Sequence, residues 1–253
     1  MLFRLIGGAL LIAGLAAVFP IHGIARAKDP FPGIIGEDER VIVDSWDRPW
    51  NAIGKVNTPA YRRLGECTGT LIDPQIVVTA AHCLYNEISG KPFRNEDIHF
   101  SAGLRRDKRI GHAKARCVRF ADGYRFQDRL RPSAIGKDYA FIVLNQPIGA
   151  EPVDLIAPGL PEPGMTVTHA GYGRDRRFLL VAHHACTISA IRNNQLYADC
   201  DTNHGQSGGP LLVERDGDFF VAGVMSTSIG GTHNRAAAIT EASVDLDAIR
   251  MCN

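Results

Sequence analysis

The stretch "DTNHGQSGGP" (201–210) surrounds one hydroxyl, Ser207, with Gly205, Gly208, Gly209 and Pro210, just ahead of an apolar run. Glycine weakens regular elements and is used where the backbone must turn sharply or approach something closely. A serine hydroxyl is a poor nucleophile until a base takes its proton and a carboxylate orients that base. His82 ends the apolar run "IVVTAAHC", which sets an imidazole at the edge of a buried strand beside a cysteine that can pin it. Asp138 opens "DYAFIVL", an otherwise uncharged run. A carboxylate entering a buried strand is costly unless something pairs with it, and an imidazole N–H is a natural partner. The three residues form a candidate acyl-transfer set, in the order His, Asp, Ser. Singly, two of them also suit a bland role: a surface-loop serine and a satisfied core histidine.

The elements that would carry them read as strands. Short runs with period-two alternation recur, among them "VIVDSW" (41–46), "GTLIDPQIVVTAAHC" (69–83), "DIHFSAG" (97–103), "DYAFIVLNQP" (138–147), "MTVTHAGYG" (165–173), "HACTISAI" (184–191), "PLLVERDGDFFVAGVMS" (210–226) and "AAAITEA" (236–242). Such runs between turn residues predict an all-β barrel or sandwich. Asp-Gly inside "ERDGDFF" signals a hairpin. Only the tail "VDLDAIRMC" has helical spacing. The Pro- and Gly-rich "GAEPVDLIAPGLPEPG" (149–164) reads as a linker, dividing the chain into 34–150 and 151–253, the latter ending in the short helix.

"TAAHC", "DYAFIVL" and "GQSGGP", in that order on an all-β background, resemble the trypsin-like (chymotrypsin-fold) serine endopeptidases. "GIIGEDER" (33–40) and "CDTNHGQSG" pull the likeness towards the secreted bacterial branch that includes the glutamyl endopeptidases. The resemblance implies two six-stranded antiparallel β-barrels with a C-terminal helix, together one peptidase domain. It makes His82 the general base, Asp138 its orienter and Ser207 the nucleophile of a peptide hydrolysis through an acyl-enzyme. The N–H groups of Gly205 and Ser207 would form the oxyanion hole. The implied disulfides are Cys67–Cys83 beside the histidine, with Cys186–Cys200 and Cys117–Cys252.

Substrate choice stays open at this level. The resemblance sets Asp201, six residues before Ser207, at the base of the primary pocket, which implies cleavage after Arg or Lys. The glutamyl branch carries a similar Asp-Thr pair here, so Asp201 and Thr202 also suit a structural turn, with cleavage after acidic or small residues. That branch has a histidine where this chain has Met225, leaving His204 and His233 as stand-ins. "STS" (226–228) replaces the usual aromatic pocket wall and leaves Ser226 and Ser228 main-chain groups to pair with an extended peptide. Gln206 stands where most members have an aspartate that pairs with a new N-terminal ammonium after activation, and a neutral amide cannot form that ion pair.

The Gly-x-Ser-x-Gly elbow of α/β-hydrolases is the rival reading. It requires a helix after the serine and alternating strands and helices before it, and neither pattern is present. A catalytically inactive binding module is the non-enzyme reading, against which the three intact residues argue.

The formal net charge of +1 gives no electrostatic case for nucleic acid or a membrane surface. Residues 1–27 read as a secretory signal: Arg4, a 15-residue apolar run, Pro20, then "ARA". Cleavage there leaves 28–33 as a short propeptide and a secreted or periplasmic, monomeric protein acting on proteins or peptides. Six cysteines in an exported chain favour disulfides. No metal or cofactor is expected, since the nearest His/Cys pairs lack a matching second pair.

Overall fold

The hairpin turns set the architecture. Asp216 and Gly217 both adopt positive φ, 54° and 84°. This is the type I′ geometry that an Asp-Gly pair favours, and its twist matches that of the flanking strands. Asn193 and Asn194, at 52° and 58°, make a second such turn.

The computed structural model describes residues 33–60, 63–228, 232–240 and 243–252; the leader read at 1–27 lies outside them. In chain order the strands are β1 (Val41–Ile42), β2 (Ile53–Ala60), β3 (Arg63–Asp73), β4 (Ile76–Thr79), β5 (His99–Ala102), β6 (Gly111–Phe120), β7 (Ala140–Leu144), β8 (Thr166–Gly171), β9 (Val181–Arg192), β10 (Gln195–Ala198), β11 (Pro210–Arg215), β12 (Asp218–Ser228) and β13 (Asn234–Ala238). A helix, α1 (Leu246–Arg250), follows.

Strands β2-β3-β4-β7-β6-β5 close one antiparallel barrel, with β5 returning to β2. The second sheet runs β9-β10-β13-β12-β11-β8 and closes through β8 on β9, which makes six strands again. Closure pairs most strand edges and leaves only short ones open, which is how small all-β folds limit edge-to-edge association. Each barrel is filled by inward-facing residues. Leu71, Ile76, Phe100 and Ile142 are fully buried in the first, and Ile188, Leu196 and Leu211 in the second. Each such side chain contributes roughly 1.5–3 kcal/mol by leaving water.

The two ends of the chain depart from the expected division at residue 150. β1, although N-terminal, pairs with β9 of the second barrel at Val41↔Ala182 and Ile42↔Val181. Only these two residues of "VIVDSW" form a strand. The helix α1 returns to the first barrel, where Arg250 bonds Asp73 at 2.7 Å and Cys252 is joined to Cys117. Asp245 starts that helix by accepting from the Ala248 N–H. Segment 149–164 lies outside the named strands, apart from a one-residue bridge at Leu155 to Val221.

Candidate active site

His82 sits on a 3-10 turn, Ala81–Leu84, immediately after β4. That strand is buried along its whole length, so it fixes where the turn emerges. The Cys67–Cys83 disulfide ties the turn to β3. Asp138 ends another 3-10 turn, Pro132–Lys137, just before the wholly buried β7. Because β4 and β7 are neighbours, with Thr79 opposite Ala140, the two turns emerge side by side.

Asp138 Oδ2 lies 2.6 Å from His82 Nδ1, and Oδ1 accepts the His82 backbone N–H at 2.8 Å. Ser226 donates its hydroxyl to the same Oδ2. An ionised carboxylate only accepts, so Nδ1 carries the proton and Nε2 keeps a lone pair. Burial alone would raise the Asp138 pKa. The neighbouring His82 charge and the donors from His82 and Ser226 outweigh it and hold Asp138 below the ordinary carboxylate value. Burial also opposes protonation of His82, but the Asp138 charge and hydrogen bond win, and its pKa is raised above 6.5.

Ser207 reaches the same place from the second barrel. It lines, with His82, both of the adjoining cavities that make up the cleft between barrels. Thr68 of β3 stitches the serine loop to the first barrel. Its N–H donates to the Ser207 carbonyl at 2.8 Å, its hydroxyl donates to the Gly205 carbonyl at 3.0 Å, and its Oγ1 accepts the Tyr172 N–H at 2.9 Å. Gly205 has φ +98°, and a Cβ there would stand 2.6 Å from the Tyr172 carbonyl oxygen. Gly208 has φ +81° and packs against Thr79 and the Thr68 carbonyl. This explains the glycines around the hydroxyl. Among the described residues the N–H groups of Gly205 and Ser207 have no protein acceptor, whereas those of Gly208 and Gly209 bond Met225 and Gln206 carbonyls.

The expected pocket residues separate. Thr202, Ser226 and Ser228 line the cleft, together with Asn203 and Met225. Asp201 does not, and this corrects the basic-pocket expectation. Its carboxylate is wholly buried, accepting the backbone N–H of Ile35 at 2.7 Å and of Glu39 at 2.9 Å, beside His183. It serves as an anchor for the N-terminal segment. The three expected disulfides are all formed. Of the two stand-in histidines, His204 lines the cleft, while His233 packs on Tyr197.

Two buried groups escaped the sequence reading. Arg40, whose side chain is fully buried, donates to Gln206 Oε1 at 2.8 Å while pairing with Asp38 and Asp175. The same Oε1 accepts the Asn203 N–H at 2.9 Å. His169, beneath the cleft, contacts the Pro210 carbonyl through Nδ1 at 3.1 Å and Thr202 Oγ1 through Nε2 at 3.2 Å. A carbonyl only accepts, so Nδ1 holds the proton and the Thr202 hydroxyl donates to Nε2. Burial lowers the His169 pKa to about 4, which keeps this ring neutral. A histidine in the apolar strand "VTHAG" was the available signal for His169; nothing local marked Arg40.

A family model described as Trypsin matches residues 35–247. The glutamyl endopeptidase of Bacillus licheniformis is 27% identical over 232 residues, covering 87% of this chain and 70% of that protein. Serine protease 23 of Mus musculus is 27% identical over 172 residues, 58% of this chain and 43% of that protein, so the match spans less than half of its length. A solved structure titled "Structure of Glu endopeptidase in complex with MPD" superposes with a TM-score of 0.69 at 23% identity, covering 86% of this chain and 99% of that one. At that identity the likeness concerns the fold.

Proposed function

The chain belongs to the trypsin family and is a serine endopeptidase, and from that premise we propose that Ser207, His82 and Asp138 carry out the hydrolysis, in an exported protein. The observation that supports this most is the 2.6 Å bond between His82 Nδ1 and Asp138, which leaves Nε2 as a base in the cleft that Ser207 lines. Nε2 takes the Ser207 proton as Oγ attacks the substrate carbonyl carbon. Asp138 stabilises the imidazolium that forms, and the charge on the carbonyl oxygen is received by the Gly205 and Ser207 N–H groups. Donors of this type each lower the barrier by about 3 kcal/mol. The imidazolium then returns its proton to the leaving amine, and water attacks the acyl-enzyme by the same route.

The peptide backbone pairs with the edge of β12 at Ser226–Ser228. Strand β11 begins at Pro210 opposite Val224, so beyond that point β12 has a ladder partner only on its β13 side. The side chain of the acyl residue, whose carbonyl is attacked, enters between Thr202, Asn203 and Met225. Asp201 places no carboxylate there, and selection is by hydrogen bonding to polar groups. Export agrees with six cysteines all paired.

A fluorophosphonate, which traps activated serines, tests the assignment. Mass mapping should find one adduct on Ser207 in the wild type and none in Ser207→Ala. An adduct elsewhere, or hydrolysis that survives in Ser207→Ala, refutes it.

A further inference from the structure

We propose that Arg129 selects an acidic side chain on the substrate residue immediately N-terminal to the acyl residue; this rests on the endopeptidase reading above. Arg129 follows the 3-10 turn Phe126–Asp128 and lines the same cavity as His82, Asp138, Ser207 and Ser226. Its guanidinium lies 4.1 Å over the Phe126 ring, and Nη1 donates to the Phe126 carbonyl at 3.3 Å. These contacts hold the group flat and leave most of its donors open. The neighbouring arginines differ: Arg125 and Arg131 both pair with Asp128 at 3.3 Å. Among the described residues Arg129 pairs with no carboxylate. Glu87, which lines the same cavity, is exposed and is not bonded to it.

The direction follows from strand geometry. A peptide extended along Ser226–Ser228 turns successive side chains to opposite sides. When the acyl residue points between Thr202 and Met225, the residue before it points to the wall made by His82, Asp138 and Arg129. Asp138 is buried there, and its bonds to His82 and Ser226 occupy it. An arriving carboxylate therefore meets Arg129, whose fork suits bidentate pairing.

Peptides identical except for Glu, Gln or Lys at that position test this through kcat/KM. The wild type should cleave the Glu peptide roughly five- to tenfold faster than the Gln peptide, the size of a half-buried charge pair. The Lys peptide should be slowest, and the Glu:Gln ratio should shrink as salt is raised. In Arg129→Gln the ratio should fall to about one, and Arg129→Glu should reverse the order of Glu and Lys. Because each ratio is taken within one protein, a partly folded variant does not mimic the result, and the salt series needs no variant. A wild-type ratio near one, together with cleavage that Ser207→Ala abolishes, sinks this proposal alone. Failure to cleave any peptide, or cleavage that persists without Ser207, removes it along with the endopeptidase reading.

Discussion

Arg40 Nη1 and Gln206 Oε1 lie 2.8 Å apart, so a cation built into the chain braces the residue just before Ser207. In the resemblance an aspartate there waits for a new terminal ammonium. Here Asp38 and Asp175 neutralise the cation, and Gln206 accepts from it. The serine loop is therefore braced without a freshly cut end. A chain that keeps residues ahead of Gly33 should match one beginning at Ile35 in kcat/KM. Inertness of the longer chain, with activity appearing only after a cut, would contradict this. Arg40→Met leaves Asp38 and Asp175 with Arg176 as their remaining cation and should lower stability by about 1.5–3 kcal/mol in a denaturant titration, the size of a lost hydrogen bond to a charged group.

Loss of any of the three chemical groups should cost far more rate than stability. Ser207→Ala and His82→Ala should each lower kcat by at least about four orders of magnitude, and Asp138→Asn by about 10⁴ through the wrong histidine tautomer. Circular dichroism and melting should change little for Ser207→Ala. Near-normal turnover in any of these variants would displace the assignment.

The pH profile follows from the raised His82 pKa. Only neutral Nε2 accepts a proton, so kcat/KM should rise with pH through a midpoint above 6.5. The linked stability term has the opposite sense: a raised histidine pKa stabilises fully below about 6.5, and this is lost as pH climbs through the folded value. For Asp138, whose pKa is lowered, the contribution is present above about 3.9 and lost as pH falls through the folded value. A midpoint below 6.5 would show that Asp138 does not govern the base.

Asp201→Ala should act on folding and leave the choice of basic substrates alone. It removes the carboxylate that accepts the Ile35 and Glu39 N–H groups, and a hydrogen bond to a charged group contributes about 1.5–3 kcal/mol. The melting temperature should fall, with the ratio of cleavage after Arg to cleavage after Gln unchanged. A collapse of that ratio would return Asp201 to the pocket.

Much of this was legible because it is local. The apolar runs ending at His82 and starting at Asp138 became adjacent strands, and Asp-Gly made its hairpin. β2, β6 and β10 escaped the alternation reading. β2 carries Lys55, Asn57 and Pro59, and β6 mixes Lys114 and Arg116 into its apolar pattern. In β10, four residues follow an Asn-Asn turn and offer too short a period to recognise. The role of Asp201 could not be read locally, since its partner Ile35 is 166 residues away in the chain. Charge and spacing alone fit a pocket floor or an anchor equally well.

The crossing of the chain ends has a mechanical consequence. β1 is strapped to the second barrel and the Cys252 end to the first, so prying the barrels apart would have to strip β1 from β9 and strain the Cys117–Cys252 link together. The serine and the histidine, on opposite sides of the seam, thus keep their alignment by a buckle fastened at both ends. Calorimetry should show a single melting event for both barrels. With Cys117→Ala and Cys252→Ala together, that event should move down by about 4 kcal/mol and split in two, the seam loosening before either barrel melts.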